Sequence, residues 1–464
     1  MKNDLRGAAS VPQGTLLFDR RTGPRDRRSE ARGGRRSYDV LTATVMLTGS
    51  LLGGCNASQS FTPTAPTDLS VSADTTPTQT GTPAPTGTTS AQAPATIPAG
   101  TALNPGDDIQ AAVNAHPPGT TFVIKTGVHR RQTIRPKDGM TFVGEHSAVL
   151  DGEGVTQRAF IGQNTSRVTV RGLRITGYAP PNISAALDGL DSRGWVVEHN
   201  EIDHNANGSN RVYGLRLGHD MVVRNNRIHH NGWVGIDGYK ATGALVEGNE
   251  LYANPPARFN DTIGEAANMK CYACGSITVR NNNVHDGPFR GIWFDRSQPD
   301  ITIEGNRVVN HGEAGIWYEV SYRGTIRKNY VENAGSDSYY SKGWLRGGGI
   351  QITNSPDVSV LDNTVVDSLN GIIGLQASSY YDGPYGPSQL RNLLVQGNTI
   401  VMSKGQTGIA ENISSNAVFD SWNNRFLNNR YELRSNSTPF YWRGRNMTES
   451  EWKAGPGSAD SFTR

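Results

Sequence analysis

Residues 195–202 read WVVEHNEI, and the pattern returns as MVVRNNRI (221–228), ALVEGNEL (244–251), ITVRNNNV (277–284), ITIEGNRV (301–308), GTIRKNYV (324–331), VSVLDNTV (358–365), LLVQGNTI (393–400) and a degenerate FDSWNNRF (419–426). Each unit is an apolar residue, any residue, an apolar residue, two variable residues, Asn, one more residue and an apolar residue. The asparagines are Asn200, Asn226, Asn249, Asn282, Asn306, Asn329, Asn363, Asn398 and Asn424, spaced 23 to 35 residues apart. VTVRGLRI (168–175) opens the series and reads with Gly172 in the asparagine place. A period in the low twenties, stretched in three places, marks a solenoid with loop insertions.

The alternation inside each unit says which solenoid. Apolar residues recur every second position and are mostly Val, Ile and Thr, as in strands. Helical repeats would show i, i+3, i+4 spacing over ten or more residues, and the chain has none. Asn tolerates left-handed backbone angles, and Gly is the other residue that does. Equivalent asparagines of successive coils would then stack as an amide ladder. The pattern predicts an all-β, single-stranded parallel β-helix in which the asparagines are structural, not catalytic.

The chain before residue 99 reads differently. Residues 1–37 hold ten Lys or Arg and four Asp or Glu, and residues 40–54 (VLTATVMLTGSLLGG) carry no charge. That stretch is shorter than a membrane span of about 20 residues and has the shape of a signal-peptide core. It runs into Leu52-Gly53-Gly54-Cys55, which resembles a bacterial lipobox with Cys55 as the lipidated residue, and Arg35-Arg36 resembles a twin-arginine signal. Residues 55–98, rich in Thr, Pro and Ser, suit an extended tether. The expected organisation is a signal peptide over 1–54, a tether over 55–98 and a β-helix domain over 99–464. The expected place is the bacterial cell envelope, outside the cytoplasm, with a lipid anchor as the membrane contact. Removing residues 1–54 takes ten of 45 basic and five of 42 acidic residues, leaving 35 against 37. A nearly neutral product offers no electrostatic case for nucleic acid, and a monomer is expected.

Cys271 and Cys274 form CYAC on a strand and corner. That context lacks the helix N-terminus of a redox pair and the second pair of a zinc site. A local disulfide and two free thiols both remain open.

NPGDDIQAAVNAHPPGT (104–120) reads as a short capping helix started by Asp107 or Asp108, with Ile109, Ala112 and Val113 on one face. With the early strand-like runs TFVIKTG, QTIRP, MTFVGE and AVLDGEG, about 11–12 coils are expected at about 4.8 Å each. The start GDDIQAAVNAHPPGTTFVIKTGVHR, the core GIWFDRSQPDITIEGNRVVNHGEAGIWYEVSYRGTIRKN and the ending MTESEWKAGPGSADS resemble bacterial right-handed parallel β-helix proteins of the pectate-lyase-like superfamily. The resemblance implies a right-handed coil and a link to polysaccharides, since that superfamily holds lyases, hydrolases, uronate epimerases and tailspikes. The chain has neither a polygalacturonase-type NTD with a later GHG nor the DPH motif of alginate epimerases.

A second strand recurs as GLRLG (214–218), GIDGY (235–239), GIWFD (291–295), GIWYE (315–319), GIQIT (349–353), GIIGL (371–375) and GIAEN (408–412), with AANMKCY (266–272) in the gap. Alternation puts Trp293 and Asp295 outward in one coil and Trp317 and Glu319 outward in the next. Gln351 and Thr353 extend the face on one side. Asp237 and Arg216 extend it on the other, and Lys270 joins if the register slips by one. Two exposed tryptophans beside two stacked, mutually repelling carboxylates suit a sugar-binding groove better than an inert surface. Insertions at 255–264, 335–347 and 378–390 would wall it with residues such as Trp344 and Tyr381.

The expected catalytic set is Asp295 and Glu319, with Asp237 and Lys270 in reserve. Trp293, Trp317, Arg216, Arg290, Arg323, Gln351, Trp344 and Tyr381 are the expected substrate contacts. As a hydrolase, the chain would use the two carboxylates directly. As a lyase or epimerase it would need a base and a neutraliser, with Ca²⁺ between Asp295 and Glu319 as one option and no cofactor as the other. The third reading is a surface protein that binds glycan without turnover.

Overall fold

The computed structural model describes residues 97–206, 211–255, 264–336, 346–378 and 382–463. Cys55, the signal region and nearly all of the tether lie outside the described residues. Strands of three to seven residues dominate, and the chain visits three sheets in rotation. One coil runs through Val196–Glu198, Glu201–Asp203 and Val212–Leu217, and the next begins at Val222–Arg224. The first sheet has 13 strands, the second 13 and the third 12. All pair in parallel except the terminal pair Phe440–Trp442 and Arg445–Met447, which is antiparallel. The result is the right-handed parallel β-helix expected. It is slightly longer than 11–12 coils, because the first and last turns carry strands without the asparagine pattern.

Inward side chains stack from coil to coil. Ile292, Ile316 and Ile350 are register partners, as are Phe294, Tyr318 and Ile352, and all six are fully buried. The N-terminal end is covered by the helix Ile109–Ala115, which buries Ile109 and Val113. Asp108 caps it by accepting from the Ala111 N–H at 2.9 Å. At the other end the helix Glu449–Lys453 starts with a capping box of Thr448 and Glu451, and its Trp452 stacks on Phe440 at 4.4 Å. Among the described residues no helix is long and apolar enough to cross a membrane. Cys271 and Cys274 are both buried, with their Sγ atoms 2.6 Å apart.

The asparagine ladder forms between the first and second sheets, with two corrections of register. From Asn200 to Asn398 each Nδ2 donates to the Oδ1 of the next asparagine at 2.9–3.0 Å. The rung after Asn398 is Asn429, not Asn424, and Asn429 in turn donates to Asp460. Asn424 holds a different corner, accepting from the Leu393 N–H and donating to the Leu390 and Val418 carbonyls. At the start, Thr169 pairs with Val196, so Leu173 occupies the asparagine place and Gly172 precedes it. The left-handed residue is this preceding one: His199 has φ 55°, Asn225 φ 53°, Gly172 φ 70° and Gly248 φ 64°. The asparagine is chosen for its amide, which no left-handed preference would supply.

A second ladder turns the next corner. Asn205, Asn231, Asn254 and Asn268 donate in series and end on His311 Nε2 at 3.1 Å. Its signal was present as a second Asn five residues after the first at 200/205, 226/231 and 249/254.

Candidate functional site

The third sheet holds the expected face. Its outward residues form two columns along the rod. One runs Arg216, Asp237, Lys270, Trp293, Trp317, Gln351. The other runs Tyr239, Tyr272, Asp295, Glu319, Thr353. Trp293 therefore stacks on Trp317, with ring centroids 5.3 Å apart, and Asp295 stands over Glu319. Lys270 takes its place in the tryptophan column with no slip of register.

The two columns differ in exposure, and this corrects the expectation of exposed tryptophans. Trp293 and Trp317 are each only 4% exposed. The Arg290 guanidinium lies over both rings at 4.4 and 4.6 Å, and the Lys270 amine sits 3.7 Å from the Trp293 centroid. Ala267 and Ala314 pack against the pair. The rings are thus occupied, and their polar edges hold the site. Trp293 Nε1 donates to Glu319 Oε2 at 3.1 Å, and Trp317 Nε1 donates to Thr353 Oγ1 at 2.9 Å. Asp295 and Glu319 are half-buried, with a remaining edge toward solvent.

The cations on this face have partners. Arg290 pairs with Glu313 at 2.7 Å and donates to the Gly264 carbonyl. Lys270 lies 3.5 Å from Glu265 and 3.9 Å from Asp295. Arg216 donates to Asp237 at 3.2 Å and stands 3.9 Å from Asp188. Asp237 is buried in that pair, and burial pushes its carboxyl up to about 6 against the pull of Arg216 and Lys270. It is two rungs from the acid pair and reads as structural. Gln351 is 1% exposed, donates to Thr353 at 3.5 Å and leaves its Oε1 without a partner. Arg323 is not brought in; it is exposed beyond the strand, 3.9 Å from Asp300. Trp344 and Tyr381 lie outside the described residues, as does much of the insertions that carry them.

The two acids are pushed in one direction by unequal surroundings. Burial raises the Asp295 carboxyl, opposed first by Lys270 and then by Arg296. Burial also raises Glu319, to about 8, and the Asp295 charge adds to it. Burial and the neighbouring charge thus disfavour ionisation of Glu319, while the Lys270 amine favours the anion of Asp295. Sequence reading missed Tyr239 and Tyr272, which continue the acid column, their rings parallel and 6.0 Å apart. Aligning GIDGY and NMKCY with GIWFD would have found them.

A family described as the right-handed beta helix region matches residues 257–383. Among solved structures, the chain is similar to the A-module of the mannuronan C-5 epimerase AlgE6 of Azotobacter vinelandii. The TM-score is 0.52 at 17% identity, covering 77% of this chain and 94% of that one. The AlgE4 A-module of the same organism gives 0.48 at 16% identity, covering 73% and 94%. The catalytic unit of a GH87 α-1,3-glucanase from Streptomyces thermodiastaticus gives 0.45 at 14%, covering 80% and 70%. No curated protein matches the chain. The likeness to the AlgE6 module is one of fold.

Proposed function

We propose that the chain is an exported, lipid-anchored glycoside hydrolase that cleaves a polysaccharide at Asp295 and Glu319. One observation carries the reading: two carboxylates on adjacent rungs, one accepting an indole N–H and the other beside a lysine. Two acids in unequal surroundings are the usual division between a general acid and a nucleophile or base. Adjacent parallel strands lie about 4.8 Å apart, close to the roughly 5–5.5 Å between the carboxyls of a retaining pair. Glu319 protonates the leaving oxygen. Asp295, favoured as the anion by Lys270, attacks the anomeric carbon as the glycosidic C–O bond breaks, and water deprotonated by Glu319 then displaces Asp295 to release the sugar. Trp293 fixes the Glu319 rotamer through its indole N–H.

Elimination or epimerisation at a uronate would use Lys270 or Arg290 as base or neutraliser. Both are engaged with Glu265, Asp295 and Glu313, which favours hydrolysis. Calcium is not part of the proposal. One Glu319 oxygen accepts the Trp293 N–H, and Lys270 already supplies a positive charge. The AlgE6 module is named as a polysaccharide-modifying enzyme, so the fold can serve a glycan.

The test is a depolymerisation screen over neutral and uronate polymers, with and without Ca²⁺. Reducing ends without unsaturated uronate absorbance support hydrolysis. Unsaturated products would replace it with elimination, and binding without products would leave a lectin-like surface. The anchor is tested separately: Cys55→Ala should abolish labelling with a lipid analogue, and persistent labelling would refute the lipobox.

A further inference from the structure

The acid site does not use the two sulfurs of CYAC. Cys271 belongs to the strand Ala267–Tyr272, and Cys274 stands past the corner that follows, where Ala273 has φ 55°. Alternation along the strand sends Lys270 and Tyr272 outward and Cys271 inward. The corner turns Cys274 inward as well, so both side chains are 0% exposed and join the main apolar core. Their Sγ atoms face one another, 2.6 Å apart. Gly238 is the register partner of Cys271 in the preceding coil, and a Cβ there would collide with both sulfurs. The space that holds the pair exists because residue 238 has no side chain.

This setting does not suit the other uses of a Cys-x-x-Cys pair. A metal centre needs further ligands, and among the described residues no three His, Cys, Asp or Glu side chains gather. A catalytic dithiol needs an accessible thiolate, set at a helix N-terminus or beside a cation. Here burial pushes the Cys271 thiol well above its ordinary range, and Cys274 adds to the push. Two buried thiols face to face offer each other only weak donors and weak acceptors. A covalent bond between the sulfurs needs neither.

We propose that Cys271 and Cys274 close an intramolecular disulfide across this corner. The oxidant is a second disulfide, such as glutathione disulfide. The thiolate of one cysteine attacks it and releases one thiol, leaving a mixed disulfide. The thiolate of the other cysteine then attacks the mixed disulfide and releases the second thiol. Two S–H bonds of the chain are lost, the S–S bond forms, and both electrons and both protons end on the two released thiols. The exchange precedes closure of the coil, because neither sulfur is exposed afterwards. Its occurrence in the cell rests on the proposed export, since disulfides persist outside the reducing cytoplasm. The bridge spans Tyr272, whose ring lies in the acid column against Tyr239, and Ala273, whose N–H donates to the Asp295 carbonyl at 2.9 Å. It therefore fixes the turn beside the acid pair.

The test equilibrates the reduced full chain in a glutathione buffer whose ratio leaves the urea-held chain half bridged. The chain is then refolded in the same buffer, with circular dichroism to follow the fold. Remaining thiols are blocked with iodoacetamide under denaturing conditions. Trypsin cleaves after Lys270 and Arg280, so both cysteines fall in the peptide 271–280. After refolding, mass spectrometry should find this peptide unalkylated and two hydrogens lighter than the dithiol, and doubly alkylated only once reduced. Cys271→Ser should leave Cys274 alkylated or carrying glutathione. A bridged fraction that is unchanged or lower on refolding, or a peptide joined to glutathione or to a second chain, would overturn the bridge. The same peptide from the chain recovered from cells tests export separately. Thiols there, with a bridge on refolding, would support the bridge and count against export.

Discussion

At the asparagine corner each amide meets the next, whereas on the third sheet the same coil-to-coil repeat sets one carboxylate over another. Both arrangements come from identical geometry, a parallel register about 4.8 Å apart. An amide carries donor and acceptor together, so stacking satisfies it; a carboxylate accepts only, so stacking frustrates it. A fold that can build satisfied ladders at two corners gains no stability from Asp295 over Glu319. Local frustration of this kind marks functional sites. The contrast also separates Asp237 from the acid pair: Asp237 is relieved by Arg216, whereas Glu319 receives a neutral indole N–H.

The largest expected effect falls on chemistry. Glu319→Gln should reduce reducing-end release by about 10²–10⁴-fold while the melting temperature holds, because the amide is neutral like the proton-bearing acid it replaces. Unchanged turnover with a marked fall in melting temperature would move Glu319 to the structural side of the comparison. Arg216→Ala tests that side directly. It strands Asp237 in a buried place and should cost about 3–5 kcal/mol in urea unfolding. Asn282→Ala breaks one ladder rung and should cost about 1–3 kcal/mol for each group left unpaired. A change near zero would mean that the amides do not hold the corner. The last expected effect is a slope. Glu319 binds its proton more tightly folded, at about 8, than at its ordinary 4.5. Between those values the folded chain holds a proton that the unfolded one has lost, so this group's contribution falls as pH rises. Melting scans across that window should show a decline in the wild type that Glu319→Gln lacks.

The fold was legible because strand alternation and one amide per coil are local properties of the chain. The errors were errors of phase. In VTVRGLRI the glycine belongs to the left-handed slot and Leu173 to the asparagine slot, and in the last repeat the double Asn at 423–424 drew attention from Asn428-Asn429. The outward columns were legible for the same reason as the fold, so Asp295 over Glu319 and Trp293 over Trp317 follow from GIWFD and GIWYE. Exposure was not legible. The tryptophans are covered by Arg290 and Lys270, and alternation alone does not say where long side chains lie down.

The central claim is that burial pushes the Glu319 carboxyl up and that the Asp295 charge beside it adds to the push. Carbon-13 NMR titration of the Glu319 carboxyl tests this directly. The account predicts a midpoint far above the ordinary 4.5, near about 8, that falls when Asp295→Asn removes the neighbouring charge. A midpoint close to 4.5, unmoved by Asp295→Asn, would contradict it.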